Sequence, residues 1–73
     1  MDNRVREFRI NLGLTQEQLA EKVGVSSRTI ISLEKGIYKP SIMLAYKLSL
    51  IFNETIECIF KLDENLKKEE KKR

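Results

Sequence analysis

The chain has 73 residues, 41 % hydrophobic and 34 % charged, with a net charge of +3. That length allows one domain with a single small core. There is no histidine and one cysteine, Cys58, which excludes an internal disulfide framework and a Cys/His zinc site.

No run approaches the roughly 20 apolar residues of a membrane span. The opening MDNRVREFRI alternates charged with apolar residues and does not read as a secretory signal. A cytoplasmic protein with no membrane contact is expected. The positive charge is uneven. Residues 1–52 hold eight Lys/Arg against five Asp/Glu, whereas residues 53–73 hold six of each. The excess therefore lies in the folded part rather than in a basic tail. A lone proline and three glycines fit an all-helical chain.

Residues 3–12 predict a first helix with Val5, Phe8 and Leu12 as its apolar stripe and Ile10 on the flank. Arg9 lies nearly on the same face, where an unpaired charge is expensive. Gly13 suits the turn that follows, and Leu14 stands where it can staple against Leu19. Thr15 is a good N-cap, and Gln18 three residues on completes a capping-box pattern. The second helix, 16–23, has Leu19, Ala20 and Val23 as its apolar stripe. Gly24 follows where a left-handed C-cap wants glycine.

Ser26 or Ser27 can cap a third helix, 27–34, with Ile30, Leu33 and Glu34 on its inner face. Glu34 is a second charge among apolar neighbours. The economical arrangement pairs it with Arg9 as a structural ion pair, since the guanidinium fork suits a carboxylate. The alternative is that both side chains reach water separately. The outer face of the third helix is unusual. Arg28, Ser32 and Lys35 point away from the core side, with Ser27 and Thr29 near the leading edge. Short hydroxyls and one arginine lower bulk where another surface can approach closely.

Pro40 ends the loop Ile37–Tyr38–Lys39, whose lysine and tyrosine suit a phosphate backbone. Ser41 caps a fourth helix, 42–52, with Leu44, Ala45, Leu48, Ile51 and Phe52 as its buried set. It is apolar nearly all round, as expected of a central helix packed on several sides. Thr55 caps a short fifth helix with Ile56, Ile59, Phe60 and Leu62 facing inward. These are more apolar side chains than one core needs, so Cys58, Ile59 and Leu62 are candidates for a contact with a second copy. The alternative makes Cys58 a small surface filler. Residues 63–73 are highly charged and read as a frayed helix, with Glu64 and Lys68 as an i,i+4 pair, or as disorder.

LTQEQLAEKVGVSSRTIISLEKG, followed by YKPS and LAYKLSLIF, resembles the phage-repressor/Cro-type helix-turn-helix family, also called the XRE family. The likeness covers roughly residues 3–60. It implies an all-α, five-helix DNA-binding domain over residues 1–62, with 63–73 as an appended tail. It also implies roles by position. Ser26, Ser27, Arg28 and Ser32 match base-facing positions of the recognition helix. Gln16, Lys35, Tyr38 and Lys39 match phosphate contacts, and Arg9 and Glu34 match the family's structural ion pair. Ile31 departs from the polar residue often found there, and either touches a thymine methyl or leans on the second helix. Serine and arginine replace the usual glutamines, so no known operator carries over.

The expected function is sequence-specific binding of double-stranded DNA at a roughly palindromic operator, as a repressing homodimer joined through the fifth helix. The alternative is an antitoxin or adaptor that uses the fold to hold a protein partner. No nucleophile–base pair or phosphate-cradling glycine loop points to an enzyme. No cofactor, metal or small-molecule effector domain is expected.

Overall fold

The computed structural model describes residues 1–71, which form six α-helices: α1 (Val5–Asn11), α2 (Gln16–Val23), α3 (Ser27–Glu34), α4 (Ile42–Phe52), α5 (Ile56–Phe60) and α6 (Leu62–Lys71). Four of them start on a hydroxyl. The Oγ atoms of Thr15, Ser26, Ser41 and Thr55 accept from the backbone N–H three residues on. Each satisfies one of the amides a helix start leaves unpaired. At Thr15 the box closes in both directions, because Gln18 Oε1 accepts from the Thr15 N–H at 2.9 Å.

Leu19, Ile30, Leu33, Leu48, Ile59, Phe60, Val5 and Val23 are fully buried and form one core. The α2–α3 turn is tight. Gly24 is left-handed at φ 73°, and Val25 N–H donates to Ala20 O at 3.0 Å. A side chain at this position would be strained by the backbone conformation alone.

Four sequence expectations change. Helix α1 begins at Val5, because Asn3 Oδ1 takes the Val5 N–H and its Nδ2 donates to Leu33 O at 2.8 Å. Leu12 is not part of the buried stripe. Leu12 is the C-cap of α1, still in helical conformation with its N–H donating to Phe8 O at 3.2 Å, yet it is half exposed, while Arg9 fills the inner face beside Val5. Phe8 packs on Phe52 with ring centroids 5.6 Å apart.

Helix α4 is not wrapped on all sides. It buries Leu44, Ala45, Leu48 and Phe52 and leaves Ile42, Met43, Tyr46 and Leu50 to solvent. Of the two readings of the tail, the described residues take the helical one, as α6 (Leu62–Lys71). Lys61 adopts the left-handed conformation at φ 48° and separates α5 from α6. Asn65 Nδ2 then donates to Phe60 O at 2.7 Å and to Asp2 O at 3.0 Å. Lys68 does not close the expected pair with Glu64; its Nζ lies 2.5 Å from Asp2 Oδ2.

The Lys68 ammonium, through its hydrogen bond and then its charge, holds the Asp2 carboxyl below its ordinary value, and Asp2 raises Lys68 in turn. A depressed carboxyl contributes to docking above its unfolded pKa of about 4 and loses that contribution as pH falls through the lower folded value. We expect amide protection in α6 to drop on acidification through that range, before the buried core of α2–α5 opens. Asp2→Asn should produce the same loss at neutral pH, read by hydrogen exchange.

Candidate nucleic-acid interface

The second and third helices are locked together through Glu34. Arg9 Nε donates to Glu34 Oε2 at 2.6 Å and Arg9 Nη2 to Oε1 at 3.2 Å. The pair is shielded, with side-chain exposures of 11 % for Arg9 and 4 % for Glu34. Arg9 Nη1 also donates to Leu14 O at 2.7 Å, just before the cap of α2. Gln16 Nε2 donates to Glu34 Oε1 at 3.2 Å. One carboxylate therefore gathers α1, α2 and α3. Gln16 belongs to this buried network, which sequence reasoning missed. Its position at the first residue of α2 was the only signal.

Of the expected base-facing residues, Ser26 is the N-cap of α3 and Ser27, Arg28 and Ser32 lie within it. Arg28 is exposed and has no ion-pair partner among the described residues. Ser27 and Ser32 are half-buried, so their hydroxyls sit close to the helix surface. Ser26 is exposed, but its Oγ is engaged. It accepts from Thr29 N–H at 3.2 Å and lies 3.1 Å from Thr29 Oγ1. Ile31 is half-buried.

Of the expected phosphate contacts, Lys35 is exposed at the C-terminal cap of α3, and Tyr38 and Lys39 are exposed in the loop that follows. Lys39 Nζ lies 3.4 Å from Glu69 Oε1 of α6, a contact the sequence did not foreshadow. Gln16 is half-buried, with one amide proton committed to Glu34.

The residues of α5 and the start of α6 expected to meet a second copy are mostly unavailable. Ile59 is fully buried in the chain's own core, and Leu62 packs against that core. Cys58 is half-buried, with Arg4 Nη1 3.7 Å from its Sγ. In a five-residue helix, a shift of one residue, about 100° of rotation, decides which side faces in, and the core takes Ile59.

A capped α2, a left-handed glycine turn and a capped α3 tied back to α1 make a helix-turn-helix unit. The family profile described as Helix-turn-helix matches residues 5–57. The chain belongs to the helix-turn-helix family. Its kind is the phage-repressor/Cro type, a DNA-binding and non-enzymatic class.

This helix-turn-helix chain is 55 % identical over 64 residues to an uncharacterised HTH-type transcriptional regulator of Archaeoglobus fulgidus; the match covers 88 % of this chain and 91 % of that one. The fold is similar to the N-terminal DNA-binding domain of SinR from Bacillus subtilis, with a TM-score of 0.67 and 29 % identity, covering 74 % of this chain and 80 % of that one. It is equally similar to a chain of the SinR/SinI complex, with a TM-score of 0.68 and 29 % identity. There the match covers 74 % of this chain and spans 53 % of that chain's length.

Removing the shared carboxylate leaves a shielded guanidinium and the Gln16 amide without their acceptor. Glu34→Ala should therefore lower the unfolding free energy by about 3–5 kcal/mol in urea melts. A loss below about 1 kcal/mol would mean that the pair behaves like an exposed one.

Proposed function

We propose that the chain binds double-stranded DNA sequence-specifically as a homodimer, with α3 in the major groove, and represses transcription by occluding promoters. The observation that carries this reading is the outer face of α3: short hydroxyls around one exposed Arg28, which has no ion-pair partner among the described residues, on a helix held by a shielded ion pair. The guanidinium fork can engage guanine O6 and N7 together. Lys35, Tyr38 and Lys39 would grip phosphate and set the register. Gln16 would add a phosphate contact through the amide proton it does not give to Glu34. A two-fold dimer would then read a roughly palindromic site, with half-sites about 34 Å apart.

In vitro selection from a random duplex library tests this reading. Palindromic sites should emerge, with affinity that falls steeply as salt rises. Sites without two-fold symmetry would remove the dimeric reader. Arg28→Ala should relax the preference at one base per half-site by about 1–3 kcal/mol. An equal loss on every duplex would reassign Arg28 to the phosphate backbone.

Lys39 carries the Glu69 carboxylate in the free chain, so a phosphate at that ammonium has to displace it. Glu69→Gln should tighten duplex binding by about 0.2–1 kcal/mol, the worth of an exposed pair, and the gain should shrink at high salt. Fluorescence anisotropy across a salt series checks both the sign and the trend.

A further inference from the structure

From the solvent-facing side of α4 we infer that a second copy of this chain docks there, making α4 rather than α5 the dimer interface. This rests on the homodimer reading proposed above. Ile42 is 80 % exposed, Met43 59 %, Tyr46 51 % and Leu50 63 %. Ile42, Tyr46 and Leu50 follow one another at i, i+4 and i+8, with Met43 beside them on the next row. The arc carries no charge. Lys47 borders it on one side and Ser49 on the other. Together these side chains present an apolar surface on the order of 500 Å² per copy, at the upper end of what a monomer leaves uncovered.

Three considerations select a second copy as the occupant. The first is area. Two such faces bury on the order of 1,000 Å² in total, about the threshold for a specific interface. The second is self-complementarity. A straight i±4 row packs into the grooves of an identical row, and a two-fold contact requires the same patch on both sides. Nothing in the arc asks for a counter-charge from a different protein. Tyr46 in the middle buries its ring while its hydroxyl reaches the rim. The third is place. Residues 38–41 run directly into Ile42, so the pairing face adjoins the proposed phosphate-gripping loop. The α5 region offers little as a rival, since Ile59 is buried in the chain's own core and Leu62, at the start of α6, packs against it.

Sedimentation of the full chain over a concentration series tests the assignment. The wild-type chain should reach twice its 8.6 kDa mass. The double substitution Tyr46→Glu/Leu50→Glu should weaken dimerisation at least about tenfold, by forcing charge into a dry contact. Leu66→Glu, at an equally exposed apolar site on α6, should leave the dimer intact. Far-UV circular dichroism checks that the fold is retained. Ile42→Glu, at the most exposed end, repeats the test if the double variant unfolds.

A wild-type chain that stays monomeric overturns the inference, as does one that assembles only with a different protein. A dimer that survives both α4 variants, or that Cys58→Glu abolishes instead, also overturns it. A parallel titration with a mixed-sequence 30-bp duplex separates this result from the functional reading. The Tyr46→Glu/Leu50→Glu variant should still bind duplex, more weakly than the wild-type dimer, because α2, α3 and the 35–39 segment are untouched. A wild-type dimer that ignores duplex DNA would remove the DNA reading and leave the interface standing.

Discussion

The Glu34 carboxylate is the point on which the arrangement of helices depends. Its two oxygens take Arg9 from α1 and Gln16 from α2, while its own backbone belongs to α3. Arg9 reaches on to the Leu14 carbonyl and so holds the short link into α2. An apolar trio of similar volume would pack these helices with less desolvation cost. It would not fix their angle as tightly, because dispersion contacts tolerate small rotations and a forked hydrogen bond does not. On the proposed reading, in which α3 meets the DNA at a set angle, that directional constraint favours the ionic solution.

The C-terminal end of α3 is held by a different device. Asn3 Nδ2 donates to Leu33 O, and the Met1 amino group donates to Gly36 O. Carbonyls that a helix end would leave to water are thereby taken by the N-terminal segment, and a positive group there also suits the helix dipole. Gly36 permits the approach, since a Cβ would come within 3.1 Å of Met1 O. The segment is fixed from the other side by Asn65 and Lys68 of α6, on Asp2. The tail helix is thus coupled to the end of α3 through Met1, Asp2 and Asn3.

Features that rest on local chemistry were legible in the sequence. A hydroxyl at a helix start, a glycine at a left-handed turn and a charge inside an apolar stripe each carry their reason within a few residues. That is why the four caps, the Gly24 turn and the Arg9–Glu34 pairing could be anticipated. What depended on position in the fold could not. Leu12 continues the helical period in the sequence and in the backbone, but no neighbouring element covers it at the end of α1. The apolar character of α4 says that it seeks contacts, not how many neighbours surround it. Ile59 is indistinguishable by pattern from a surface anchor. Lys61 gives no hint that a non-glycine residue turns left-handed there, and mixed charge in the tail conceals the Asn65 contacts that hold α6 in place.

The chemistry of α3 limits how sequence could be read. Ser26 commits its oxygen to the Thr29 amide and hydroxyl, so capping and base contact draw on the same atom. Ser27 and Ser32 are short and half-buried, which leaves Arg28 as the one long side chain among the four expected base readers. One bidentate contact discriminates by only about 1–3 kcal/mol, whereas specific sites typically exceed non-specific ones by about 4–10 kcal/mol. On the proposed reading the remainder has to come from elsewhere. Doubling the head across a two-fold axis supplies a second arginine. The backbone grip of the 35–39 segment adds sensitivity to groove shape and DNA stiffness at bases no side chain touches. A small reading face therefore shifts the burden of specificity onto the geometry that relates two copies, and the apolar side of α4 is where that geometry would be set.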